Sequence, residues 1–343
     1  MDTITDTVVT KPAISLPQDQ YAHPGAPTEW WWHVGTLVTG DGHKFGFEVN
    51  ATGMVAYGFT QICITDVEQQ KHYQNVNPVA PLPQDWAQAD TSQPWSVRLG
   101  GSDAGTISMT EVGHSPLHME VKASFTDAAT GAKCAISLHL QQHGKPLLVW
   151  GNGCEEVDPQ APTPLTRNNY YYSLTRLAAT GTVTVDGTRH HVTGHTWMDH
   201  EYGAFPKAQP DKPVIWTLQD MQLNNGVQLS NFTQFGIVPE ANVPMPSHAT
   251  ILDTSGHSTY VETRTTPLEP VFVSKKGVTY YLNYKVEFLG ADLTTVMYVK
   301  SLVPDQLFLD GDNADVYEGV GSCEGTWGVH NVTGTAWIEQ NLG

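Results

Sequence analysis

Strand-like segments recur along the whole chain. Short runs rich in β-branched and aromatic residues are separated by turn sequences such as Thr39-Gly40-Asp41-Gly42 and Asp186-Gly187. Runs of this length bounded by glycine, asparagine and aspartate are typical of strands, and Asp-Gly is a favoured hairpin turn. Because no stretch of about 11 residues keeps a helical period, the pattern predicts an all-β chain built as sandwiches or barrels.

Three segments are rich in loop-forming residues, namely residues 75–94, 158–164 and 209–213. A chain of 343 residues is long for a single core. We therefore predict that the third segment separates two β-domains, residues 20–211 and residues 213–343.

One short phrase occurs in both predicted domains. Residues 192–199 read Val-Thr-Gly-His-Thr-Trp-Met-Asp, and residues 332–339 read Val-Thr-Gly-Thr-Ala-Trp-Ile-Glu. The shared pattern V-T-G-x-x-W-x-[DE] indicates two domains of related design. Because the second copy lacks histidine, proton-transfer chemistry is predicted for the first.

Residues 193–203 are the densest part of the chain in proton-transfer groups. Alternate residues of a strand point to opposite faces, so His195, Trp197 and Asp199 are expected on one face. A carboxylate beside aromatic surface loses hydration and its pKa rises, which makes Asp199 the predicted general acid or base. His195 would orient it or relay its proton. The structural alternative is an aspartate that caps backbone amides or pairs with Arg176.

Three consecutive tryptophans, residues 30–32, stand near the start of the first predicted strand. In an extended chain Glu29, Trp31 and His33 share one face, and the other two indoles take the opposite face. Glu29 and His33 are therefore predicted as further acid–base partners, and Trp31 as part of a ligand-lining wall. The alternative is an aromatic plug that closes a barrel end.

Composition excludes several classes of function. Aspartate and glutamate outnumber lysine and arginine by 35 to 17, which gives a net charge of −18 and disfavours nucleic acid and anionic membrane surfaces as partners. The N-terminus has no secretion signal and no apolar run reaches about 18 residues, so a cytoplasmic protein without a membrane span is predicted. No G-x-G-x-x-G, P-loop or G-x-S-x-G motif is present, so no nucleotide cofactor is expected.

A metal site is not predicted. His191, His195 and Asp199 recur every four residues on one strand face, but residues four apart in a strand lie about 13 Å from each other. These side chains cannot hold one ion unless the strand bends.

Four longer motifs carry a resemblance to a known family. They are P-x-E-W-W-W-H-x-G near the N-terminus, Y-Y-S-L-T-R followed by G-T-V, G-H-T-W-M-D-H-E-Y-G, and the closing E-G-T-W-G with G-T-A-W-I-E. Through them, about residues 23–339 resemble the lipocalin-like proteins that include carotenoid 1,2-hydratases, kievitone hydratase and AttH-type proteins.

The resemblance implies two lipocalin-like antiparallel β-barrel domains with a ligand cavity. Several members of the group add water to, or remove it from, an alkene of a hydrophobic substrate, and other relatives promote cofactor-free cyclisations, including Diels–Alder reactions. Asp199 falls where the hydratases carry an essential aspartate. The carotenoid enzymes have a His-x-Trp pair before that motif, and this chain reads Tyr170-Tyr171-Tyr172-Ser173 there, which argues against a carotenoid substrate.

The sequence therefore predicts a cofactor-independent hydratase or dehydratase, a hydro-lyase, or a related acid–base rearrangement enzyme acting on a hydrophobic natural product. The alternatives are a pericyclase or isomerase and a non-catalytic carrier of a hydrophobic ligand. Aromatic side chains would hold the substrate and stabilise developing positive charge with their π faces; the predicted set is Trp31, Tyr170, Tyr172, Trp197 and Tyr202.

Overall fold

The computed structural model describes residues 12–206, 214–290, 295–309 and 316–342. Its regular structure is almost entirely antiparallel β-strand, in two barrel-shaped sheets, so the predicted fold class is confirmed. The described helices are α1 (Pro164–Arg167) and two 3₁₀ turns, Gln18–Gln20 and Val149–Gly151. None of them is long and apolar enough to cross a membrane.

The first sheet has 12 strands in the order β4-β3-β2-β1-β12-β11-β8-β7-β6-β5, with β9 and β10 also paired to β11. It curves into a nearly closed barrel. Its strands are β1 (Thr28–Thr39), β2 (Lys44–Met54), β3 (Gly58–Asp66), β4 (Lys71–Val79), β5 (Ser96–Ser102), β6 (Gly105–Val112), β7 (Ser115–Thr126), β8 (Lys133–Gln142), β9 (Leu147–Leu148), β10 (Cys154–Glu156), β11 (Asn168–Val185) and β12 (Thr188–Gly203).

The second sheet has nine strands in the order β18-β17-β16-β15-β14-β13-β21-β20-β19, and an additional pairing of β18 with β20 closes it into a barrel. Its strands are β13 (Trp216–Leu223), β14 (Gln228–Thr233), β15 (Met245–Leu252), β16 (Ser258–Val273), β17 (Thr279–Phe288), β18 (Val296–Ser301), β19 (Leu307–Phe308), β20 (Val316–Trp327) and β21 (His330–Asn341).

The predicted Asp-Gly turn is present and joins two strands. Asp186 and Gly187 both have positive φ, at 46° and 79°, and they join β11 to β12 in a tight hairpin turn. The prediction of loop for residues 75–94 is wrong at its start, because β4 extends to Val79. Asn75 donates from its amide to the Thr126 carbonyl at 2.7 Å, so an asparagine that suggested a turn instead bonds across the barrel.

The repeated phrase occupies the same place in both sheets. It lies in β12 and in β21, each of which pairs with the first strand of its own sheet, β1 or β13. A Cβ atom on Gly194 would overlap the Thr36 carbonyl oxygen, and one on Gly334 would overlap the Gln222 carbonyl oxygen. The shared glycine therefore reflects a close approach of the neighbouring strand.

The outer faces of the two barrels pack against each other. Val34 and Trp197 from the first barrel share one apolar cluster with Val320 and Trp337 from the second. Across this interface Gln222 donates from its side chain to the Thr175 carbonyl at 2.7 Å. The predicted domain boundary at residues 211–213 lies outside the described residues and stays a prediction.

Candidate active site

A cavity of about 280 Å³ lies between the two barrels. Both sheets and the segments that follow β12 and β14 contribute to its walls. The lining is dominated by aromatic side chains: Trp30, Trp32, Phe59, Trp150, Tyr171, Phe205, Trp216, Phe232, Phe235 and Tyr260. A cavity of this size and character suits a small apolar molecule.

Strand register explains why the first barrel turns these side chains outward. Glu201 on β12 lies opposite Tyr171 on β11 and opposite Trp30 on β1. Directly opposed residues of neighbouring strands point to the same face, so the three side chains form one row, and all three line the cavity.

Three carboxyl groups interrupt the aromatic lining: Glu155, Glu201 and Glu339. Glu155 is exposed, whereas Glu201 and Glu339 are buried. His248 is the only basic side chain among the described residues that line the cavity. The polar part of this lining is therefore acidic.

Glu339 and Glu201 are both held by neutral donors. The Trp216 indole donates from Nε1 to Glu339 Oε1 at 2.7 Å, and Asn169 donates from its amide to Glu201 Oε1 at 2.5 Å. Burial outweighs these bonds, because it raises the pKa of Glu339 to about 8 and that of Glu201 well above its ordinary range. Both carboxyls can therefore hold a proton at neutral pH.

Asp199 occupies the next row of the same face, opposite Ser173 and Trp32. Its Oδ1 accepts hydrogen bonds from Ser173 Oγ at 2.5 Å and from Trp197 Nε1 at 2.7 Å. Burial raises its pKa to about 6 despite these donors. Asp199 does not itself line the cavity, but Tyr171 does, and the Tyr171 hydroxyl interacts with the Asp199 carboxyl.

Three more carboxyls lie buried at the interface between the barrels: Glu48, Asp220 and Glu318. Burial raises the pKa of each one well above its ordinary range, and further increase comes from other carboxyls. The interface therefore groups acidic side chains from both barrels around one apolar site, which favours their protonated forms.

Most of the predicted site residues lie on the opposite face of their strands, inside the first barrel. Trp31, Tyr172 and Tyr202 belong to its apolar core, with Tyr170 packed against it. None of these four side chains lines the cavity in the part of the chain that the structure describes. Their predicted role in substrate binding stays a prediction, and their placement assigns them to the barrel interior.

Glu29 belongs to a hydrogen-bonded network in that interior. Its Oε1 accepts from His23 Nδ1 at 2.8 Å and from His200 Nε2 at 3.0 Å. Burial opposes ionisation of Glu29, but these two bonds outweigh it and lower the pKa. The side-chain nitrogen and oxygen atoms of the three residues lie within 4.8 Å of one another. The sequence did not predict this grouping, and the hydrogen bonds from the two imidazoles to Glu29 explain why the atoms are so close.

The two remaining candidates lie apart from Asp199. Burial alone lowers the pKa of His33 to about 3, so its imidazole is neutral inside the first barrel. His195 is exposed on the outer face of β12, as is His191. The structure thus brings Trp197 to Asp199, but it does not bring His195, His33 or Glu29 to that carboxyl.

Sequence reasoning missed Tyr171, Glu201, Trp216 and Glu339. Glu339 stands at the position of Asp199 in the repeated phrase, so the repeat itself contained a signal for a second carboxyl. The pairing of Ser173 with Asp199 determines which face of β11 turns toward the second barrel. Had that pairing been known, the position of Tyr171 on this face could have been predicted. Trp216 carried no comparable signal.

Two solved structures share the architecture over nearly their full length. A candidate AttH from Nitrosomonas europaea is 20% identical, with a TM-score of 0.74, and the match covers 100% of this chain and 99% of that one. Kievitone hydratase from Nectria haematococca is 17% identical, with a TM-score of 0.72, and the match covers 97% and 95% of the two chains. At these identities the likeness concerns the fold.

No curated protein sequence gave a significant match. The family model described as AttH-like matches residues 7–341, which is nearly the whole chain and includes both barrels and the cavity between them. The chain therefore belongs to the AttH-like family.

Proposed function

We propose that this protein is a cofactor-independent enzyme that hydrates or dehydrates a hydrophobic natural product, or rearranges it by acid–base chemistry, in the cavity between the barrels. One observation carries the proposal: an aromatic cavity is lined by the buried carboxyls of Glu201 and Glu339, and its Tyr171 wall leads to the buried carboxyl of Asp199. Membership of a family whose fold is shared by a protein named kievitone hydratase supports it. The net charge of −18 disfavours a nucleic acid partner, and the proposed enzyme acts on a small molecule in the cytoplasm.

Asp199 is the proposed proton donor, with Tyr171 between it and the substrate. In the hydration direction the carboxyl releases its proton, the Tyr171 hydroxyl passes a proton to an alkene carbon, and the C=C π bond becomes a new C–H bond and a neighbouring cation. Indole and phenol faces stabilise that cation. Water then forms a C–O bond, and its released proton returns to the carboxylate. Dehydration reverses these steps.

The test begins with the bound molecule, identified by mass spectrometry of ligand carried through purification. With that molecule or its derivative as substrate, we expect Asp199→Asn to lower kcat about 10²- to 10⁴-fold, the range of general acid catalysis. Its thermal unfolding midpoint should stay close to that of the parent, because asparagine can accept the same hydrogen bonds. Glu156→Gln, at an exposed position, is the matched control.

The reaction run in ¹⁸O-labelled water separates the alternatives. A hydratase places solvent oxygen in its product, and a dehydratase places it in recovered substrate through the reverse reaction, whereas a pericyclase or isomerase incorporates none. Tight binding without turnover, unaffected by Asp199→Asn, would identify a carrier. Full activity in a correctly folded Asp199→Asn protein would contradict the proposed role of this carboxyl.

A further inference from the structure

Five aromatic rings of the cavity wall form a continuous cage. Phe205 lies 5.6 Å from Trp30 and 6.2 Å from Trp216, measured between ring centroids. Phe235 lies 5.9 Å from Trp216 and 4.9 Å from Phe232. All four contacts are edge-to-face, with interplanar angles between 69° and 79°. This edge-to-face packing is usual for aromatic pairs, and it turns successive rings of the cavity wall in different directions.

The cage is combined with acidic side chains. Trp216, a member of the cage, is also the residue that donates a hydrogen bond to Glu339, so an indole and a carboxyl meet at one point of the lining. Glu201 lies on the adjacent strand from Trp30, directly opposite it in register. The described lining includes no lysine or arginine. The wall thus offers π faces and carboxyls without a fixed positive charge.

The charge of a ligand determines how favourably it binds against this wall. A neutral apolar ligand would leave both carboxyls with their existing donors, Trp216 and Asn169, and would gain nothing from their negative charge. An anion would be repelled once either carboxyl ionised. A cation carried on an apolar body would contact the ring faces and allow a carboxyl to ionise beside it, and the pair would replace the lost hydration.

We propose that the substrate of this cavity is a hydrophobic amine, and that its positively charged nitrogen binds between the aromatic cage and Glu339. The proposal rests on the proposed function in one respect, namely that this cavity is the substrate site. It goes further by giving the substrate class: a tertiary amine or quaternary ammonium on an aromatic or alicyclic body. The Glu339 carboxyl is a specificity-determining group supplied by the second barrel.

Two probes that differ in one atom test the charge preference. They are (2-naphthylmethyl)trimethylammonium and 2-neopentylnaphthalene, in which carbon replaces the nitrogen. Isothermal titration calorimetry measures binding, because naphthalene absorbs and emits in the same range as the indoles that line the cavity. We expect the ammonium probe to bind at least about tenfold more tightly than its isostere. Tenfold tighter binding corresponds to about 1.4 kcal/mol, and a desolvated cation–π contact can contribute about 2 kcal/mol.

Glu339→Gln keeps the side-chain shape and removes the ionisable group. It should weaken ammonium binding at least about fivefold and change binding of the isostere by less than about twofold. Glu156→Gln, an exposed change of the same kind, should alter neither affinity. If Glu339→Gln does not fold, Glu201→Gln replaces it, with a smaller loss of ammonium affinity expected.

Each failure has a distinct meaning. Equal binding of the two probes would overturn the amine proposal. An ammonium preference that survives the glutamine variant would overturn the placement of the nitrogen beside Glu339. Either result leaves the cavity as the site of the proposed function. If neither probe bound, the amine proposal would be wrong, and the ligand carried through purification would still test the proposed function.

Discussion

At the scale of single residues, environment decides what a carboxyl can do. Glu339 and Asp199 are buried against indoles, and their pKa values rise to about 8 and about 6. Glu29 is equally buried, but two imidazoles bind it and its pKa falls. A carboxyl is therefore favoured in its protonated form between the barrels and in its ionised form inside the first barrel.

These shifts predict how stability depends on pH. The folded state of Glu339 keeps its proton up to about pH 8, whereas an unfolded glutamate loses it near its ordinary value of 4.5. The folded chain therefore binds more protons, and the free energy of unfolding must fall as pH rises through this range. Burial opposes the charge on His23, but bonds to Asp19 and Glu29 raise its pKa to about 9, which acts in the same direction.

Urea unfolding at pH 7 and pH 9 measures this effect. We expect a smaller free energy of unfolding at pH 9, with a decrease of at most about 1.4 kcal/mol per pH unit for each proton released. Glu339→Gln should reduce the decrease, because glutamine does not titrate, and Glu156→Gln should not. A free energy that is constant or rises between these pH values would show that the buried carboxyls are not protonated in the folded protein.

At the scale of strands, alternation separates two sets of functional groups. On β12 the side chains of Trp197, Asp199 and Glu201 turn toward the second barrel, while His200 and Tyr202 turn into the first. A one-residue shift in register would exchange the sets. The close approach of β1 at Gly194, inside β12, leaves room for no side chain at this position of the register.

Glycine-to-alanine variants test that constraint. Gly194→Ala and Gly334→Ala should each lower the free energy of unfolding by about 1–3 kcal/mol, because the added methyl group meets a backbone carbonyl that has no room to move. Gly40→Ala is the control, since a Cβ there meets nothing within 4 Å, and its effect should stay within about 0.5 kcal/mol. Equal effects at all three positions would contradict the packing explanation.

At the scale of the whole molecule, the two barrels share the walls of the cavity. The apolar cluster around Trp197 and Trp337 joins the two barrels. Gly46 of the first barrel lies directly against Val320 of the second, so that a Cβ on Gly46 would come within 2.5 Å of the Val320 Cβ. We therefore expect a single cooperative unfolding transition.

A double-mutant cycle measures this contact. Gly46→Ala should destabilise the protein by forcing the barrels apart, and Val320→Gly should destabilise it by leaving a void and loosening the strand. Combined, the Cβ added at position 46 occupies space that the Val320 side chain has left, so the double variant should be more stable than the sum of the single effects by about 0.5–3 kcal/mol. Additive effects, or two separate unfolding transitions, would show that the barrels do not pack as described.

Local sequence determined the all-β architecture and the repeated phrase, because turn residues and side-chain alternation act over a few neighbours. It also placed Trp31 on the opposite strand face from the indoles beside it, and it made Asp199 the candidate acid or base. It could not determine which strand face meets the second barrel, since that depends on the pairing of β11 with β12 and on the approach of residues distant in sequence. Only the tertiary structure therefore placed Tyr171, Trp216 and Glu339 in one cavity, and it placed Glu29 and Tyr172 inside the first barrel.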